Sequence, residues 1–162
     1  MSVNLRRAEP EDRDAIWDMI RPVIRAGDTY AIDRNMSREE ALAYWMDDEK
    51  ETFVAVVNGH ILGTYYLRAN QEGGGSHICN CGYITAEAAR GQGIARQMCE
   101  HSLTHARETG FYGMQYNLVV SSNEEAVRLW QKLGFDIIGT IPDGFKHPEL
   151  GLVDAYVMYQ IL

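Results

Sequence analysis

Apolar residues at Ala15, Ile16, Met19, Ile20 and Val23 recur at the spacing of one helix face. Glu9-Pro10-Glu11-Asp12, just before them, supplies the proline and acids that favour a first turn. A short strand from Val3 to Ala8 precedes this helix. A second helix is predicted after Ser37-Arg38-Glu39-Glu40, where Ser37 and Glu40 have capping-box spacing and Leu42, Tyr44, Trp45 and Met46 follow. The period then changes to two. Thr52 to Val57 is β-branched and aromatic, Asn58-Gly59 suits a two-residue hairpin turn, and Ile61 to Leu67 is its antiparallel partner.

After the turn Glu72-Gly73-Gly74-Gly75, a strand is expected from Ser76 to Thr85. Helical spacing returns at Ala95, Met98, Cys99, Leu103 and Ala106, ending near Gly110. Met114 to Val120 reads as a strand, and Ala126, Leu129, Trp130 and Leu133 as a helix stripe closed by Gly134. Phe135 to Ile141 and Leu152 to Tyr159 are the last predicted strands, joined by the loop PDGFKHPELG. This order predicts a mixed α/β fold in one domain over 1–162, with no repeat and no linker. It is too poor in parallel βαβ units for a doubly wound dinucleotide fold.

Lys and Arg number 15 against 23 Asp and Glu, a net charge of −8, which argues against a nucleic-acid binder working through a broad basic face. No run approaches the roughly 20 apolar residues of a membrane span. With three cysteines, an odd count, and no apolar leader, the chain is expected to be cytoplasmic and reduced. His77, Cys79 and Cys81 alternate on one strand face, but residues so placed stand about 6.6–7 Å apart, an awkward span for one zinc. No metal is expected.

Arg90-Gly91-Gln92-Gly93-Ile94-Ala95 lies between a predicted strand and a predicted helix. Glycines there let a ligand approach the backbone, and the unpaired first-turn N–H groups with the helix dipole make a seat for an anion such as pyrophosphate. A Rossmann fingerprint fails because Arg96 stands where its third glycine or alanine belongs, and no P-loop string occurs. A plain strand-to-helix connection is the alternative. One strand later, Ser122-Asn123-Glu124-Glu125-Ala126 opens another helix with capping-box spacing between Ser122 and Glu125.

Together these segments resemble the GCN5-related N-acetyltransferases, or GNAT proteins. Their acetyl-CoA motif, (Arg/Gln)-x-x-Gly-x-(Gly/Ala), is matched by Arg90, Gly93 and Ala95. Their second motif, roughly Asn-x-x-Ala-x-x-Leu-Tyr-x-x-x-Gly-Phe, is matched by Asn123, Ala126, Leu129, Gly134 and Phe135. The resemblance implies a mostly antiparallel mixed sheet with helices on both faces and splayed central strands. It implies acetyl-CoA as co-substrate, with pyrophosphate on the turn from Arg90 to Ala95, helped by Arg96, and pantetheine along the backbone of Tyr83, Ile84 and Thr85. Asn123 would touch the pantetheine or the helix cap.

A primary or secondary amine would then attack the thioester directly. A lysine-like amine is neutral in only about one molecule in 2,500 at pH 7, so a base or water relay matters, whereas an α-amino group needs less help. Weak candidates are Glu87, before the glycine turn, and Tyr83 or His77, if the face they share with Cys79 and Cys81 lines the acceptor cleft. A core or surface role is the alternative for each. Trp130 stands where many relatives carry a general-acid tyrosine; its indole does not ionise near neutral pH, so core packing is its expected role.

The C-terminal half, from Tyr116-Asn117-Leu118-Val119 onward, looks like the subgroup acting on small amino acids of the azetidine-carboxylate type, which implies a substrate-holding role for Asn117. The reading is an acetyl-CoA-dependent N-acetyltransferase of a small-molecule amine, with a homodimer a further expectation. Its rivals are a peptide or protein N-acetyltransferase and a non-catalytic acyl-CoA-binding protein.

Overall fold

A computed structural model describes residues 2–162. β1 (Asn4–Arg7) leads through a short 3-10 turn (Pro10–Asp12) into α1 (Arg13–Ala26), which ends at Gly27 with φ 65°. α1 buries Ile16, Met19, Ile20 and Ile24, while Ala15 and Val23 of the predicted stripe line a cleft. α2 (Arg38–Met46) starts as its sequence implies, the Ser37 hydroxyl accepting from the Glu40 N–H at 3.1 Å. β2 (Glu51–Val57) and β3 (His60–Ala69) form the expected hairpin, with Asn58 and Gly59 at φ 50° and 79°. β4 (Ile78–Thr85), α3 (Ile94–Glu108), β5 (Gly113–Val120) and α4 (Glu124–Lys132) follow, and the chain closes with β6 (Asp136–His147) and β7 (Gly151–Ile161).

The last two elements correct the sequence reading. Most of PDGFKHPELG is strand rather than loop, because β6 is an edge strand on which Pro142 needs no ladder donor. An irregularity between Ile141 and Phe145 absorbs Asp143 at φ 52°, whose N–H donates to Asp154 Oδ1 at 3.1 Å. The α4 start also differs. Its N-cap is Asn123, with no side-chain capping bond, so the Ser122–Glu125 box does not form.

The seven strands order β1-β2-β3-β4-β5-β7-β6, all neighbours antiparallel except β4 and β5. One core packs α1 and α2 on one sheet face around Ile16, Ile20, Trp45, Val54 and Tyr66. The other includes α3 residues Met98, Cys99 and Leu103, with Trp130 of α4, against Tyr65, Leu67 and Met114. The parallel pair is what positions the site: β4 and β5 match only at Ile78–Gly113 and Cys79–Met114, then diverge. Just past the last pairing, the Asn80 side chain spans the opening and donates to the Gln115 carbonyl at 2.9 Å.

Near the chain start, Arg6 grips Asp12 with both terminal nitrogens, at 2.7 and 3.0 Å, and the Glu9 N–H donates to the same carboxylate at 2.7 Å. Hydrogen bonding from Arg6 holds the Asp12 carboxyl below its ordinary range. A depressed folded pKa means stability that is complete above the unfolded value and lost as pH falls through the folded one. Asp12→Asn is therefore expected to lower unfolding free energy by about 1–2 kcal/mol at neutral pH, the difference from wild type shrinking as pH falls below the ordinary aspartate value of about 3.9. Urea titrations at neutral and acid pH check this.

Candidate active site

The glycine turn is built as an open backbone seat. Gly91 and Gly93 sit at φ 79° and 78°, and a Cβ on either would meet nothing within 4 Å. Any L side chain would be strained there and would project into this free space. Gly93 caps α3, whose first internal bond runs from the Gln97 N–H to the Gly93 carbonyl at 3.2 Å. The N–H groups of Ile94, Ala95 and Arg96 therefore lack intrahelical partners, and no side chain caps them. Both glycines, Arg90, Ala95 and Arg96 line the cleft, whereas Gln92 is exposed outside that lining. Arg96 also pairs with Glu100 at 3.0 Å. The geometry suits a pyrophosphate.

The cleft, about 1460 Å³, runs from this turn through the gap between β4 and β5 to the faces of α1 and the α1–α2 loop. Alternation assigns each β4 residue a side. The Ala86 N–H bonds to the Leu62 carbonyl on β3, while the Tyr83 carbonyl accepts from the Tyr30 hydroxyl at 2.7 Å on the other side. Odd-numbered residues thus direct backbone groups into the gap. Of the three residues expected along pantetheine, Tyr83 and Thr85 present amides there; the Ile84 amide faces β3, and its side chain joins the α1–α2 core.

The shared side-chain face of Cys79, Cys81 and Tyr83 turns to the α3 core, not to the α1–α2 side. His77 is the correction in that set: it precedes the strand, is exposed, and lies tilted against Tyr112 with ring centres 6.0 Å apart, outside the cleft lining. Tyr83 sits between Trp130 and Tyr116, ring centres 5.1 and 5.9 Å away, and its hydroxyl meets Ser102 at 2.7 Å and Tyr116 at 3.0 Å. Burial pushes the Tyr83 and Tyr116 hydroxyls well above the ordinary tyrosine range, so neither is a base at neutral pH. Burial raises the Cys81 thiol too, and a thiol held protonated is a poor nucleophile for a covalent acyl-enzyme. Glu87 is exposed on the 3-10 turn Glu87–Ala89 and lines the cleft. Among the described residues, no group of three or more His, Cys, Asp or Glu is arranged to hold a metal ion.

On the α1–α2 side, the alternate residues of three strands form a polar floor. Asn117 is exposed there, donating to Asn70 Oδ1 at 2.7 Å and accepting from Gln115 at 3.1 Å. Asn80 and Arg68, cross-strand partners on β4 and β3, share this floor. The sequence reading missed both, although each is a polar residue inside an apolar run. At the other end Asn123 lines the cleft with its side chain free of capping. Gly82 keeps the floor flat, because a Cβ there would come within 2.6 Å of the Tyr66 ring.

A divergent parallel strand pair followed by an open anion seat at the next helix start defines the class of acetyl-CoA-dependent N-acetyltransferases. The chain belongs to the acetyltransferase (GNAT) family, whose model matches residues 17–135. It is 34% identical over 151 residues to the N-acetyltransferase aca1 of Schizosaccharomyces pombe, covering 83% of this chain and 72% of that protein. A GCN5-related N-acetyltransferase from Kribbella flavida superposes with a TM-score of 0.95 at 39% identity, covering 99% of this chain and 98% of that one. A GNAT phosphinothricin acetyltransferase from Sinorhizobium meliloti, solved with acetyl-CoA, shares the fold with a TM-score of 0.87 at 20% identity, covering 100% and 89%. The protein is an N-acetyltransferase. Among the described residues no helix is long and apolar enough to cross a membrane.

Proposed function

We propose that this N-acetyltransferase acts on small-molecule amines, amino acids and their analogues foremost. The observation that carries the reading is the strap over the acceptor end: Tyr30, in the α1–α2 loop, packs half-buried against the core and is tied to the Tyr83 carbonyl at 2.7 Å. Asp28, Thr29 and Ile32 of the same loop also line the cleft, so the loop borders the acceptor end, which favours a small acceptor over a peptide. The resemblance of the C-terminal half to the azetidine-carboxylate subgroup supports the same class.

Acetyl-CoA supplies an acyl group activated as a thioester. The N–H groups at the head of α3 hold its pyrophosphate, and the gap-facing amides of Cys81 and Tyr83 are donors for the acyl oxygen. Asn123 borders the pantetheine path. As the amine nitrogen bonds to the acyl carbon, the carbon–sulfur bond breaks and CoA leaves as its thiolate; the amine proton passes to water, from which the thiolate takes one up. Asn117 orients the acceptor from the floor. The buried thiols Cys79, Cys81 and Cys99 are free, which suits a reducing cytoplasm, and the exposed Ile138, Leu150 and Leu152 of the β6–β7 hairpin are where a homodimer would pair.

Purified protein given acetyl-CoA and a panel of amino acids, polyamines and peptides, with CoA thiol followed, tests the proposal. Thiol release with small amino acids is expected. Release with peptides alone, or tight CoA binding without turnover on any acceptor, would replace it with one of the two rivals. Trp130 contributes packing in this account, so Trp130→Phe is expected to hold kcat within about threefold; a loss of about 100-fold would make the indole N–H essential.

A further inference from the structure

Two buried side-chain polar atoms lack a hydrogen-bond partner among the described residues, Thr29 Oγ1 and Arg68 Nε, and both residues line the cleft. Leaving a buried guanidinium N–H without an acceptor is unfavourable, so this point of the cleft calls for one. Among the described residues Arg68 also has no carboxylate partner. It follows Tyr66 by two residues on β3 and lies on the same sheet face as Asn80 and Asn117. Arg90 and Arg96, the other arginines of the cleft, belong to the glycine turn. The acceptor floor thus carries one arginine, matched to one negative charge.

Resting on the small-amine reading above, we propose that Arg68 is the specificity-determining anchor for a carboxylate carried by the acceptor. The fork of Nε and a terminal nitrogen takes a carboxylate through two parallel bonds, a geometry a lysine cannot offer. The Thr29 hydroxyl, on the loop opposite, adds a further hydrogen bond to the same acceptor. A polyamine is repelled by this cation and a carboxamide leaves it unpaired. The acceptor class is accordingly amino and imino acids with a free carboxylate.

The test uses azetidine-2-carboxylate, its carboxamide and azetidine, each with saturating acetyl-CoA and thiol release as the readout. Wild type is expected to favour the acid over the carboxamide by roughly 30-fold or more in kcat/KM, chiefly through KM. Arg68→Met should bring that ratio to about one, and Arg68→Lys should restore part of it. An unchanged acetyl-CoA KM and melting temperature in the variants establishes that they fold. The anchor is overturned if wild type shows no preference for the acid, or if folded Arg68→Met keeps it; turnover of the carboxamide in either case leaves the transferase reading standing. Absence of thiol release with every amine rejects both.

Discussion

Gly93→Val is expected to weaken CoA binding by about 100-fold or more, roughly 2.7 kcal/mol, while the protein stays folded. Two effects combine. At φ 78° a β-branched residue is strained, by about 1–2 kcal/mol, and its side chain enters the open space in front of the α3 amides. Gly59 separates them: it has φ 79° and equally open surroundings, but lies in the β2–β3 hairpin. Gly59→Val should therefore lower the melting temperature comparably and leave CoA affinity alone. Calorimetric titration of CoA into both variants is the check, and an unweakened Gly93→Val would remove the anion seat from the account.

Trp45→Ala is expected to lower unfolding free energy by about 3–5 kcal/mol, measured by urea denaturation. That is a large part of the 5–15 kcal/mol typical of a native domain. Trp45 is buried at the end of α2, its indole N–H donates to Thr64 Oγ1 at 3.0 Å, and its carbonyl accepts from Thr52 at 2.7 Å. Its ring meets Tyr66 and Tyr30 edge-on, with centres 4.9 and 6.0 Å away. Both tyrosines wall the acceptor end. A variant stabilised enough to assay should raise the acceptor KM and spare that of acetyl-CoA, whose seat is at the head of α3, away from Trp45.

Local chemistry made most of the fold legible. Asn58-Gly59 and Ser37 act through bonds within a few residues, so the hairpin and the α2 cap follow from sequence alone. Pro142 misled because a proline's meaning depends on whether its strand is an edge, which only the sheet order decides. His77 misled because alternation shows which residues share a face but not where the strand begins. The glycine turn was visible as spacing, since its chemistry is backbone chemistry. Arg68 and Asn80 were not, because a polar residue within an apolar strand acquires meaning only when the neighbouring strand diverges and leaves it facing a cleft.

A crystal structure with CoA bound would locate each part of the cofactor against the cleft. Pyrophosphate is expected within hydrogen-bond reach of the α3 first-turn amides and sulfur in the gap between Tyr83 and Tyr116, facing the floor that carries Asn117. CoA seated elsewhere, or sulfur shut away from that floor, would contradict this arrangement.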